Sequence, residues 1–153
     1  MGIEIRELES NKFDLNSEAV FVLPINYLAE DKYEYSSTAL SFYKYAKTKL
    51  KICFFNEPEL LVEQRSGEWF APVLLFTSTA ISNNPEIVSI TCGVISNYIT
   101  DFFKGQRTPN IRLKILHKET KTTKLTEISY EGNSDFIDSI KETISKLLVK
   151  DGK

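Results

Sequence analysis

Histidine, tryptophan and methionine occur once each in this chain of 153 residues, and cysteine twice. Each scarcity removes a class of chemistry. Cys53 and Cys92 both lie inside apolar runs, so neither a disulfide framework nor a cysteine metal site is expected, and a reducing compartment points to the cytoplasm. His117 is the one imidazole available to a nucleophile or a metal. It falls in phase with Ile111, Leu113 and Ile115, as a rim or core-edge residue of a strand does. The six glycines, at 2, 67, 93, 105, 132 and 152, are too dispersed to cradle a phosphate through clustered amides. The opening Met1-Gly2-Ile3-Glu4-Ile5-Arg6-Glu7 lacks the basic region of a secretory signal, and Arg6 stands where a myristoylation signal wants Ser or Thr. The pairs Glu57 with Glu59 and Glu63 with Glu68 read as loop carboxylates facing water. No cofactor, metal or catalytic residue is expected.

Charge is balanced in total, at −2, but unevenly placed. Residues 1–103 carry 8 basic and 14 acidic side chains, and residues 104–153 carry 11 basic and 7 acidic. Hydrophobic residues make up 42% and charged residues 26%, which fits one soluble domain able to hold a core without staples. No repeat, low-complexity stretch or linker divides it, so the expectation is a single α+β domain over 1–153.

Ile3 and Ile5 start a first strand, and Ala19 to Leu23 is a continuous apolar run stopped by Pro24, as an interior strand would be. Ser36 or Ser37 can cap a helix over 37–48 with Leu40, Tyr43, Ala46 or Lys47, and Leu50 at helical spacing. Lys51 to Phe55 follows as a strand, so strand, helix and strand predict a parallel crossover through 19–56. Leu60 to Val62 reads either as an edge strand or as a loop.

Between Trp69 and Phe103 only Glu86 and Asp101 are charged. The spacing predicts a largely uncharged helical pair within 69–104, the first helix starting near Pro72 and the second at Asn84-Pro85-Glu86 and closing at Lys104-Gly105. On the second helix, 85–104, Ile87, Ile90, Val94, Ile95, Tyr98 and Phe102 form an apolar stripe. Ser89, Gly93, Ser96 or Asn97, and Thr100 form a stripe of small residues, and both stripes are candidates for burial. The segment is open to three readings: internal core, partner surface, or a membrane-contacting hairpin flanked by Arg65 and Lys104. In the partner reading the contact residues are Arg65, Trp69, Phe70, Gly93, Asn97, Tyr98, Asp101, Phe102 and Phe103, with the aromatics as anchors.

From Asn110 the period changes to two, giving a hairpin of 111–116 and 125–130, then a closing amphipathic helix over 134–149. Lys104 to Lys124 holds seven basic residues against Glu119 alone. Lys104, Arg107, Arg112, Lys114 and Lys118 are therefore candidate anion ligands, against the simpler reading that they solvate a sheet face or guard an edge. Tyr130 is the one aromatic on the hairpin, which disfavours nucleic acid. An enzyme would need a site assembled from distant residues such as Glu63, Arg65, Asp101 and His117.

The uncharged helix ending in Tyr98-Ile99-Thr100-Asp101-Phe102-Phe103-Lys104-Gly105, the two hairpin strands and the closing helix give residues 69–148 a layout that resembles the effector-associated constant component proteins of bacterial conflict systems. The resemblance implies a non-enzymatic accessory subunit in a multi-gene, defence-type system, and it transfers no catalytic residue. The expectation is an α+β fold with a mixed sheet that binds a protein partner or itself through 69–104. The rivals are membrane association through 69–103 and nucleic-acid binding through the hairpin at 104–124.

Overall fold

A computed structural model describes residues 2–10, 13, 18–29, 32–58, 60–62, 68–70, 73–102, 104, 110–119, 122–132, 142 and 146. Among these the order is β1 (Gly2–Glu9), β2 (Val20–Leu23), β3 (Glu34–Ser36), α1 (Ser37–Ala46), β4 (Ile52–Phe54), β5 (Leu60–Val62) and β6 (Glu68–Phe70). There follow β7 (Val73–Thr77), α2 (Ser78–Asn83), α3 (Ile87–Phe102), β8 (Asn110–Lys118) and β9 (Lys124–Gly132). The main sheet is mixed and runs β1-β9-β8-β7-β2-β4, with β6 also pairing β8, while β3 and β5 form a separate parallel pair. The expected helix over 134–149 lies outside the described residues apart from 142 and 146.

The expected crossover is present. β2 and β4 pair in parallel, Val20 opposite Ile52, with α1 between them in the chain. Every residue of β2 is buried, because it has β7 on one side and β4 on the other. The 60–62 segment, open between edge strand and loop, is a strand, β5, paired in parallel with β3.

The helical pair expected at 69–104 is corrected in its first half. Val73 to Thr77 is not helix but the central strand β7, parallel to β8 through Leu74 opposite Ile115, and antiparallel to β2 through Phe21 opposite Leu75. The physical reason is two-sided burial. Leu74 and Phe76 enter one apolar cluster, Val73 and Leu75 enter another, and a strand buried on both faces shows an unbroken apolar run that periodicity cannot tell from a buried helix. The helix begins only at Ser78, where the Thr77 hydroxyl accepts from the Ala80 N–H at 3.1 Å and so caps it.

The two clusters define the two faces of the sheet. The larger joins Val20, Val22, Leu74, Phe76, Leu113, Ile115 and Ile128 to α1 and α3. The second joins Phe21, Leu23, Val73, Leu75, Leu116 and Leu125 to Phe13 and Tyr27 from the loops. α1 buries Thr38, Ala39, Phe42 and Ala46, so its inner stripe is rotated from the expected one; Leu40 and Tyr43 are only half-buried. Phe42 at the centre of that stripe turns the helix, its ring standing edge-on to Tyr98 at 5.3 Å.

Candidate functional site

α3 starts where Asn84-Pro85-Glu86 predicted, the Ile87 N–H donating to the Asn84 carbonyl at 2.9 Å. Of its two stripes only one is buried. Ile87, Val88, Thr91, Cys92, Val94, Ile95, Tyr98 and Ile99 face the sheet and α1, while Gly93, Asn97 and Thr100 are exposed and Ser89 and Ser96 half-buried. Ile90, expected in the apolar stripe, is 39% exposed and lies on this outer side. A β-carbon built on Gly93 would meet nothing within 4 Å, so none of the described residues closes over it.

Tyr98 requires a second correction. It was expected among the partner-facing anchors, yet it is buried, with its hydroxyl donating to the Ser41 Oγ at 2.8 Å and its ring edge-on to Phe42 and Tyr45. Burial pushes its phenol pKa above 10.0, and the Ser41 hydrogen bond offsets part of that rise. Asp101 is exposed and accepts from the Tyr45 hydroxyl at 3.4 Å. Trp69 and Phe70 lie in β6, opposite Ile111 and Arg112 in register, and Phe102 ends α3. Arg65 and Phe103 lie outside the described residues.

The expected basic face divides as well. Lys118 is 1% exposed and its ammonium donates to the carbonyls of Glu119, at 3.0 Å, and Thr122. It fastens the β8–β9 turn from within and is not offered to a ligand. Lys104 is exposed beyond α3, and Arg107 lies outside the described residues. Arg112 and Lys114 remain together on one face of β8, each followed across β9 by a residue of β1.

Those pairings build a charged panel that sequence reading missed, because it needs three strands. Arg112 is opposite Glu131, Lys114 opposite Ser129, and Leu116 opposite Glu127, which in turn faces Arg6. Arg6 bonds the Glu127 carboxylate at 2.8 Å, Ser129 donates to the same carboxylate at 3.1 Å, and Arg112 reaches Glu131 at 3.3 Å. The Lys114 ammonium lies over the Tyr27 ring, 6.0 Å from its centre. Burial, with Arg6 and Arg112 nearby, lowers the Lys114 pKa from 10.5.

No family model, curated protein or solved structure matches this chain. The residues considered for an assembled enzyme site are not gathered by the fold as far as it is described: His117 is buried in β8 between Phe76 and Thr126, Asp101 is exposed at the end of α3, and Glu63 and Arg65 lie outside the described residues. Among the described residues no group of three or more His, Cys, Asp and Glu side chains could hold a metal ion. No helix among them is long and apolar enough to cross a membrane. The inserting helical hairpin considered for 69–103 does not exist as a unit here, since its first half is the central strand β7.

Proposed function

We propose that this chain is a non-enzymatic accessory subunit that binds a protein partner, a second copy of itself included, through the outward stripe of α3. One observation carries the reading. A helix face turned to water is ordinarily charged, yet from Ile87 to Thr100 α3 has no charged side chain, and its outward side offers Ile90, Gly93, Asn97 and Thr100. Small residues at this spacing let another backbone come close, and the open space over Gly93 suits that approach. The sequence pattern of 69–148, with its resemblance to the effector-associated constant component proteins, supports placing the subunit in a bacterial, defence-type system. Arg65, Trp69, Phe70, Phe102 and Phe103 stay candidates for the rim of the same surface, whereas Tyr98 leaves the set.

The test is co-expression of the full chain with the products of its neighbouring genes, together with its mass in solution by light scattering over a concentration series. A discrete oligomer or a stoichiometric complex is expected, lost in Ile90→Glu and Gly93→Arg and retained in Lys114→Met. A monomer that brings down no neighbouring gene product, or a complex that survives both α3 substitutions, refutes the reading.

A further inference from the structure

The main sheet ends in two unlike edges. β4, at one end, is three residues long, whereas β1, at the other, has eight residues, and no described strand pairs its outer side. An open edge of that length is a template for a further strand. Ile5, at its middle, is 48% exposed, although its register partner Ile128 is buried in the cluster against α3.

One hydrogen bond fixes which groups the edge offers. The Ser10 N–H donates to the Thr123 carbonyl at 2.8 Å, continuing the ladder in which Glu9 is opposite Lys124. Along an antiparallel strand, alternate residues turn both backbone groups to the same neighbour. Leu8, Arg6 and Glu4 therefore face β9, while Ile3, Ile5, Glu7 and Glu9 turn their N–H and C=O groups outward. A second copy of β1 meeting this edge antiparallel across a two-fold axis must set odd-numbered residues opposite odd-numbered ones.

Side chains choose among the registers that remain. An axis at Glu4, Arg6, Glu7 or Glu9 puts that charge against its own copy, and one at Leu8 sets Glu7 against Glu9 on both sides. An axis at Ile3 pairs only residues 2–4. Centred on Ile5, residues 2–8 pair with residues 8–2 of the second copy and no like charges meet. Ile5 then packs on Ile5 on the α3 side, and Ile3 stands opposite Glu7. On the other side Glu4 meets Arg6 of the second copy, twice, in rows of the closer, non-hydrogen-bonded kind. Arg6 bonds Glu127 through one terminal nitrogen, and a guanidinium has donors enough for a second carboxylate. Charges on an edge strand ordinarily guard it against pairing. A guard of mixed sign fails at any register that brings opposite signs together, and this edge has one.

We propose that β1 pairs with β1 of a second copy of this chain, antiparallel and centred on Ile5, so that the sheet continues across a two-fold axis. The pairing uses nothing of α3. One strand edge falls at the small, transient end of interfaces, below about 1,200 Å², so a dimer with Kd of about 0.1 mM is expected. Dilute samples lack it, and an oligomer through α3 is scored without interference.

The experiment is cross-linking of the full chain at about 0.3 mM in glutathione redox buffer, quantified under non-reducing conditions, with the unsubstituted chain as the control for Cys53 and Cys92. In the proposed register the two Ile5 backbones stand about 5.5 Å apart, within disulfide reach, and the two Glu7 about 14 Å apart. Ile5→Cys should therefore join two chains at least about tenfold faster than Glu7→Cys. Adding Glu4→Lys to the Ile5→Cys chain should slow the joining about tenfold, because the new lysine meets Arg6 in two rows. Mixing that chain with one carrying Ile5→Cys and Arg6→Glu should restore it, since each row again holds opposite charges. Without any cysteine added, concentrating the chain should protect the amides of Ile3, Ile5 and Glu7 from hydrogen exchange, Glu4 and Arg6 being protected at every concentration. Equal joining through positions 5 and 7, joining unchanged by Glu4→Lys, or exchange at Ile3, Ile5 and Glu7 independent of concentration would each overturn the proposal. Joining abolished by Ile90→Glu would assign the dimer to α3 instead.

Discussion

Replacing Tyr98 separates a core residue from a binding anchor, and the structure fixes how large the difference must be. Its ring is buried against α1, edge-on to Phe42 at 5.3 Å and to Tyr45 at 5.4 Å, and its hydroxyl reaches Ser41 at 2.8 Å. Burying about 150–200 Å² of ring at about 25 cal/mol per Å² gives about 4–5 kcal/mol, an upper bound because unfolded chains already bury part of that surface. Truncation of a buried aromatic to alanine typically costs about 3–5 kcal/mol, so Tyr98→Ala should lose about 4 kcal/mol. Tyr98→Phe keeps the ring and gives up one hydrogen bond. Ser41 is exposed and can take a water instead, which sets that loss near the low end, about 0.5–1 kcal/mol. Urea unfolding followed by circular dichroism measures both, with an unchanged slope as the sign that only stability moved. A Tyr98→Ala protein destabilised by less than about 1 kcal/mol would refute the packing assigned here. One that stayed folded yet lost its association would return Tyr98 to the surface.

The assignment of Val73–Thr77 as a central strand predicts that Leu75→Ala and Phe76→Ala, which empty opposite clusters, each cost about 2–5 kcal/mol in the same assay; a loss below 1 kcal/mol at either would count against two-sided burial. Gly93→Ala should stabilise the isolated chain by about 0.5–1 kcal/mol, since a helical glycine gains backbone order and the new methyl meets nothing; destabilisation would show that something does cover the site. Alkaline pH should unfold the protein partly through Tyr35 and Tyr98. Burial is the main cause raising both above 10.0, so the folded state holds these protons more tightly, and their contribution, complete below pH 10, is lost as pH climbs through the raised values. Lys114 acts in the opposite sense: with its pKa lowered, its contribution is present above 10.5 and lost as pH falls through the folded value. Lys114→Met should therefore steepen the alkaline loss seen in thermal melts and Tyr98→Phe should flatten it.

Legibility in the sequence followed the number of strands a feature needs. The start of α3 just after Asn84-Pro85-Glu86 and the crossover from β2 through α1 to β4 depend on local signals, and both stood out. β7 did not, because an apolar run buried on both faces carries no period, and its neighbours Thr77-Ser78-Thr79 mark a helix start equally well for a helix begun earlier. The outward side of α3 was visible as a stripe of small residues, but whether it met the sheet or water depended on Phe42 and Tyr98 locking the helix by their rings. Lys118 looked like the partner of Arg112 and Lys114 by alternation alone. It lies on that face, and its burial comes from the turn carbonyls it holds, a tertiary fact with no sequence signal. The Arg6, Glu127 and Lys114 panel needs residues 121 positions apart, which only an alignment of many sequences or a structure could join.

The sheet also determines how these surfaces can be tested apart. Side chains alternate across a strand, so β8 sends Ile111, Leu113 and Ile115 toward α3 and sends Arg112, Lys114 and Leu116 to the other side. The outward stripe of α3 and the charged panel of Arg6, Arg112 and Lys114 therefore lie on opposite sides of a packed layer. No described side chain belongs to both. Substitutions at well-separated positions with no shared partner ordinarily add in free energy, so Ile90→Glu with Lys114→Met should change stability in urea by the sum of the two single variants. If the double variant departs from that sum by more than about 0.5 kcal/mol, the two faces are coupled through the sheet. β7 would then be the first place to look, since Leu74 and Phe76 pack on the α3 side while Leu75 and Val73 pack with Tyr27 on the other.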